Sequence, residues 1–193
     1  MASCTQGNKH VVTDQTEKQE YVKEVNKGNI NFESYFLDKT MRLDYFHAGT
    51  AVEEHFSTDR IVSDGIWSGS KKILIDDLKL GLYYFEVIDK GSKTLLYTRG
   101  FASIFGEWQT IPEASEKWGT FHESIRFPWP LKPVTIILQK RDSLNKFSTI
   151  WTMDIDPASR QVNTADLIHT NRVDIIAQNG PASEKVDLSL IHI

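Results

Sequence analysis

The dipeptide His122-Glu123 is the first place in this chain where residue types could do chemistry. A zincin site needs two histidines four apart on one helix face, with a glutamate beside the first as general base. Position 126, where the second histidine would stand, is arginine. The segment also alternates like a strand, which spaces residues 122 and 126 wrongly for joint ligation, so the pair reads as surface residues on a strand. Glu53-Glu54-His55 could supply metal ligands, but neighbours on a strand point to opposite faces and do not converge. Serine and cysteine catalysis find little support: the single cysteine, Cys4, lies in a polar leader, Ser68-Gly69-Ser70 reads as loop, and no Gly-x-Ser-x-Gly elbow occurs. No glycine-rich loop follows a strand and opens a helix. Glu107 and Glu123 flank a tryptophan-rich segment, as glycosidase carboxylates flank aromatic platforms, yet nothing in the sequence sets their separation. No catalytic residue, metal ligand or cofactor is therefore assigned within the chain.

The aromatics and the N-terminus carry two further candidates. Trp67, Trp108, Trp118 and Trp129 all fall in or beside expected loops, with Trp129 between two prolines. Loop tryptophans form binding surfaces for sugars or proteins, and they also plug the ends of β-sandwiches; both readings stay open. Met1-Ala2-Ser3-Cys4 resembles the end of a bacterial lipoprotein signal, in which small residues precede a cysteine that is lipidated. The apolar stretch expected upstream is not in the sequence, so a late start assignment and an incidental cysteine are the two alternatives.

Composition limits the function classes. The chain has 193 residues, 40% hydrophobic and 25% charged, with a formal net charge of −4. That length can bury one core of ordinary size. Acids and bases are mixed and no basic stripe stands out to neutralise phosphates, which argues against a nucleic-acid partner. No run approaches the roughly 18 apolar residues of a membrane span.

The elements that must position these residues are short and β-like. Residues 1–31 are polar and read as a tether. Met41 to His47 alternates apolar and polar for most of its length; Ala48-Gly49-Thr50 turns, and Glu54 to Ser57 begins a return. Arg60 to Ser63 and Lys71 to Asp76 read as two more short strands, separated by the Asp64-Gly65 turn. Leu82 to Asp89 and Thr94 to Ile104 form a hairpin around Lys90-Gly91-Ser92-Lys93. Phe121 to Phe127 alternates strictly and is expected to stop at Pro128-Trp129-Pro130. Val134 to Lys140 and Phe147 to Ile155 pair across a loop. Six to nine such strands with almost no helical periodicity predict an all-β fold, an antiparallel β-sandwich of jelly-roll or immunoglobulin-like type, over residues 32–156. Residues 157–184 read as a linker with a short strand at Val173 to Ile176. Lys185-Val186-Asp187-Leu188 opens a new apolar run within residues 185–193, and the tail is expected to be extended.

Several of these segments together resemble the amino-terminal domain of the IgA-peptidase family of bacterial zinc metallopeptidases (metallopeptidase family sixty-four). The matching stretches are Tyr35 to Thr50, Ser63 to Ser70, Tyr97 to Trp108, Phe121 to Pro130 and Lys140-Arg141-Asp142. The resemblance covers about residues 34–188. It implies a β-sandwich that precedes a separate zinc-peptidase domain, in a protein that is exported, secreted or held at the cell surface or periplasm as a lipoprotein through Cys4. In the family the catalytic domain opens with a strand similar to Lys185 to Leu188 and continues to a His-Glu-x-x-His helix. This chain departs after Leu188, so no zinc ligand is carried over, and a truncation at the start of the catalytic domain is expected. The resemblance thus implies a non-catalytic accessory domain. Its expected partners are the catalytic domain and a host protein or glycan substrate; zinc is expected only in the catalytic domain. The alternative is a free-standing glycan- or protein-binding module using the loop tryptophans.

Overall fold

The computed structural model describes residues 30–166 and residue 180. A one-turn helix α1, Phe32–Tyr35, leads into β1, Phe36–Gly49, and β2, Glu54–Ser63. A long irregular loop connects β2 to the hairpin β3, Tyr83–Asp89, and β4, Leu95–Phe101. Helix α2, Ile104–Trp108, and a 3-10 turn, Pro112–Ser115, lead to β5, Gly119–Pro130. The strands β6, Val134–Arg141, β7, Phe147–Ile155, and β8, Val162–Asn163, complete the described order.

The strands form two four-stranded sheets, β5-β1-β2-β8 and β4-β3-β6-β7. Every pairing is antiparallel except the two-residue parallel contact of β8 with β2. The second sheet has the order of strands C′, C, F and G in an immunoglobulin domain. The first departs from that order, because β5 lies beside β1 and not beside β2. The expected all-β sandwich is present, with its own strand order.

Alternation decides which side chains meet. Met41, Leu43 and Tyr45 of β1 point inward beside Phe127, Ile125 and Glu123 of β5. They face Phe85 and Val87 of β3 and Ile136 and Leu138 of β6, all buried in one cluster. The Phe85 and Phe127 rings meet across the two sheets at 6.3 Å. Burial of these apolar faces is the main drive holding the sheets together.

Four local expectations change. β5 runs through Pro128 and Pro130 and does not stop before them. It is an edge strand, where a residue without an N–H costs no ladder bond on the open side. Arg60 to Ser63 belongs to the same strand as Glu54 to Ser57. Ile104 opens α2, because Ser103 caps the helix by accepting from the Gly106 N–H at 3.1 Å. Lys71 to Asp76 is loop, because its polar bonds run to turns and to one strand edge. The Ser70 hydroxyl accepts from the N–H groups of Lys72 and Ile73, and Asp76 Oδ2 accepts from the Gly100 N–H at 2.8 Å. This loop closes the free edge of β4, with the Thr98 N–H donating to the Leu74 carbonyl at 3.0 Å. The tether up to residue 29, Cys4, Val173 to Ile176 and residues 185–193 lie outside the described residues.

Candidate functional site

Where the far ends of β1, β2, β3, β5 and β6 converge, polar side chains fill the gap between the sheets. His47 is at its centre, 1% exposed, on the inward face of β1. Its Nδ1 lies 3.1 Å from Glu123 Oε2 and its Nε2 lies 2.9 Å from Glu54 Oε2. Two acceptors on one ring require both nitrogens to donate, so the geometry selects the imidazolium. The ring is stacked on Phe105 at 3.9 Å and lies 4.2 Å from Phe56, placing a cation between two aromatic faces.

Each carboxylate is further saturated. Glu123 accepts from the Tyr45 hydroxyl at 3.2 Å, the Ser103 hydroxyl at 2.7 Å and the Phe105 N–H at 3.0 Å. Glu54 accepts from the Tyr83 hydroxyl at 3.0 Å and from the Lys140 ammonium. Lys140 also donates to Gln109 Oε1 at 2.6 Å, and Gln109 donates to the Thr50 carbonyl at 2.8 Å. Two carboxylates thus face one imidazolium and one ammonium, and the cluster balances its own charge.

The titration directions agree with this geometry. Burial alone would drive His47 toward neutrality, but the bonds from Glu123 and Glu54 outweigh it and hold its pKa above the ordinary value. Burial would raise both glutamates, but His47 with Lys140, and His47 with the Phe105 N–H, bring Glu54 and Glu123 below theirs. Burial, reinforced by the adjacent carboxylates, pushes Tyr45 and Tyr83 far up, so both stay neutral donors.

The strands explain who enters this cluster. His47 and Glu123 occupy apolar phases of Met41-x-Leu43-x-Tyr45-x-His47 and of Glu123-x-Ile125-x-Phe127. Glu54 enters because Asp59 is an extra residue in β2: Arg60 pairs with Asp44, but Thr58 pairs with Tyr45. The bulge reverses the inward phase below it, turning Phe56 and Glu54 in and Glu53 and His55 out.

The residues singled out from the sequence lie apart. Glu53 and His55 pair at 3.6 Å on the surface, while Glu54 is inside. His122 faces outward, 3.1 Å from Asp59, while its neighbour Glu123 faces inward. Glu107 is exposed on α2. Trp67 and Trp129 are buried; the Trp67 indole donates to the Ser70 carbonyl, and Lys39 stands 5.0 Å over the Trp129 ring. Trp108 is half-buried against Phe105 and Phe121. Trp118 is 59% exposed and stacks on His55 at 5.5 Å.

Among the described residues, the candidate zinc ligands do not converge on an open site. His122 and Glu123 are on opposite faces, and both nitrogens of His47 are occupied. Asp44, Asp59 and His122 do bring ligand atoms within 4.8 Å of one another. Asp44, however, is already bonded by Arg42 at 2.8 Å and by Arg60 at 2.8 Å, so two guanidinium groups stand where a cation would have to enter.

Against known proteins, the family described as peptidase M64 N-terminus matches residues 31–152. The chain belongs to this family. The match spans the sandwich from the residue before α1 into β7, and so includes every member of the His47 cluster. No curated protein matches the chain.

Proposed function

We propose that this M64 N-terminal domain is a non-catalytic module of an exported zinc metallopeptidase, supporting or positioning the catalytic domain or its protein substrate. The observation that carries this reading is the family match over the sandwich. The state of the His47 cluster supports it. The cluster has the residue types of a catalytic centre, but each ring nitrogen and carboxylate is spent on an internal partner, and His47 is closed to solvent. Clusters of shifted titratable groups mark functional sites or structural ion networks, and full internal saturation favours the second. Zinc would be held by the catalytic domain, with no ligand from this chain. Export, and attachment through a lipidated Cys4, belong to the same proposal; mass spectrometry of the native product tests them, and an unmodified Cys4 overturns the anchor.

The test of the main reading is addition in trans. A family peptidase domain produced without its N-terminal module is mixed with this chain, and binding, thermal stability and cleavage of casein and immunoglobulin A are measured. Binding or altered turnover is expected; no change in any of the three overturns the reading.

One observation favours a second reading. Trp118 stacked on His55 offers an exposed aromatic platform of the kind that receives sugar rings or protein side chains. A glycan array and an immunoglobulin pull-down, repeated with Trp118→Ala, would lose signal if that platform binds; unchanged signal removes it.

A further inference from the structure

The loop between β2 and β3 carries the largest run of exposed aliphatic side chains in the described residues. Ile66, Ile73, Leu78 and Leu80 are 77%, 76%, 77% and 67% exposed. These side chains do not sit on a loose segment. Leu74 is buried in the core, and Asp76 accepts from the N–H groups of Leu78 and Lys79 while bonding the Gly100 N–H. The Tyr84 hydroxyl donates to the Asp76 carbonyl at 3.1 Å, and Arg141 donates to the carbonyls of Lys79 and Gly81. A fixed loop that holds four aliphatic groups in water is costly for an isolated domain and is the ordinary signature of a covered surface.

Two concavities flank this loop. A groove of about 310 Å³ is lined by Ile73, Leu78, Leu80 and Arg99 among others. A cleft of about 530 Å³ is lined by Ile66, Trp67, Arg99 and Arg126 among others. They adjoin through Tyr97 and Arg99. Asp64 is the single carboxylate lining the cleft, against two guanidinium groups. Asp76 lines the groove and Arg126 is bonded to Asp64 at 2.6 Å, so the face combines aliphatic anchors and aromatic walls with a charge-balanced rim, the composition of a protein-binding surface.

We infer that this face docks the peptidase domain. The inference rests on the reading of the chain as a peptidase module and adds to it the surface and the side chains. The path of the chain supports this occupant. Lys71, two residues before Ile73 within the loop, pairs with Asp38 at 2.8 Å. The adjacent Lys39 bonds the Thr164 carbonyl and the Asp166 carboxylate, each at 2.9 Å. The chain at Thr164 and Asp166 is thus tied to β1 at the residue next to the one that pairs with this loop, which places the last continuous described residues on this side of the sandwich.

The experiment is a binding titration of the whole chain against a separately produced M64 peptidase domain. It uses the wild type, Ile73→Asp, Leu78→Asp, Arg99→Glu and, as a control on the β1–β2 turn, Val52→Asp. All four positions are exposed, and circular dichroism with thermal melting confirms that each variant is folded. The expected result is a loss of about tenfold or more for each of the first three and no change for Val52→Asp. Wild-type binding that all three loop variants retain overturns the docking face while leaving the accessory function intact. Absence of wild-type binding overturns both. A wild-type homodimer that dissociates in the same variants overturns the peptidase as occupant in favour of a second copy of the chain.

Discussion

Replacing Glu123 by glutamine should reverse the sign of the pH dependence of stability near neutrality. In the native protein His47 is held charged, with a pKa above its ordinary 6.5. A group raised in this way stabilises fully below its unfolded pKa, and the contribution is lost as pH rises through the folded pKa. Stability should therefore fall as pH climbs above about 6.5. In Glu123→Gln the amide oxygen must take the position of Oε1, because the Phe105 N–H donates there and cannot accept. The amide NH2 then faces His47 Nδ1, which must become an acceptor, leaving Nε2 to donate to Glu54. That tautomer is neutral, so burial now wins and the His47 pKa drops below its ordinary value. A depressed histidine gains stability as pH rises through its unfolded pKa. Four charge-assisted bonds also become neutral ones. At about 0.5–1 kcal/mol each, the cost is about 2–4 kcal/mol. That corresponds to roughly 5–15 °C in Tm for a chain of this size. Thermal melts from pH 5.5 to 8 with an NMR titration of the His47 ring would measure both. Equal slopes of Tm against pH in the two proteins, or a Tm loss under about 2 °C, would refute the imidazolium and its coupling to Glu123.

On the acid side, Glu54 and Glu123 are depressed below their ordinary 4.5, so their stabilisation is present above that pH and is lost as pH falls through their folded values; acid titration of near-ultraviolet dichroism should show cooperative loss of packing there. Gly100→Ala would put a Cβ 2.0 Å from the Leu80 carbonyl oxygen, forcing the loop off β4. It should cost about 1–3 kcal/mol and speed amide exchange over residues 72–81. Ser103→Ala removes both the α2 cap and a donor to Glu123 and should cost about 1–2 kcal/mol in denaturant melts. Trp118→Ala leaves the core intact and should change stability by less than about 0.5 kcal/mol.

The hairpins and the two-faced strands were legible because apolar phases at Met41 to Tyr45 and at Ile125 to Phe127 repeat every second residue. The loop over β4 was not, since Lys71 to Asp76 has strand composition and is bent by bonds to Ser70, Thr98 and Gly100 that no local pattern announces. The cluster is not read from the sequence, where His122-Glu123 reads as a surface pair; the structure corrects this for Glu123, whose side chain is 8% exposed. The signal that could have found it is that His47 and Glu123 stand in the apolar phases of their strands. Glu54 was hidden, because the extra Asp59 inverts the phase and a bulge leaves no mark in alternation. Pro128 and Pro130 misled for a related reason: strand-breaking is a property of interior strands, and sequence does not show that β5 is an edge.

The His47 cluster also bears on the order of events in folding. Its members come from β1, β2, β3, β5, β6 and the α2 segment, and the Glu54–Lys140 bond alone spans 86 residues of sequence. The bonds of Tyr83 and Lys140 to Glu54 cannot close until both sheets have formed and docked, whereas the His47 bonds to Glu54 and Glu123 lie within one sheet. The cross-sheet half of the cluster should therefore be unmade in the folding transition state, and the cluster complete only in the native one. Breaking the cross-sheet bonds would accelerate unfolding and leave the folding rate nearly unchanged, so they work as a latch on the lifetime of the folded domain.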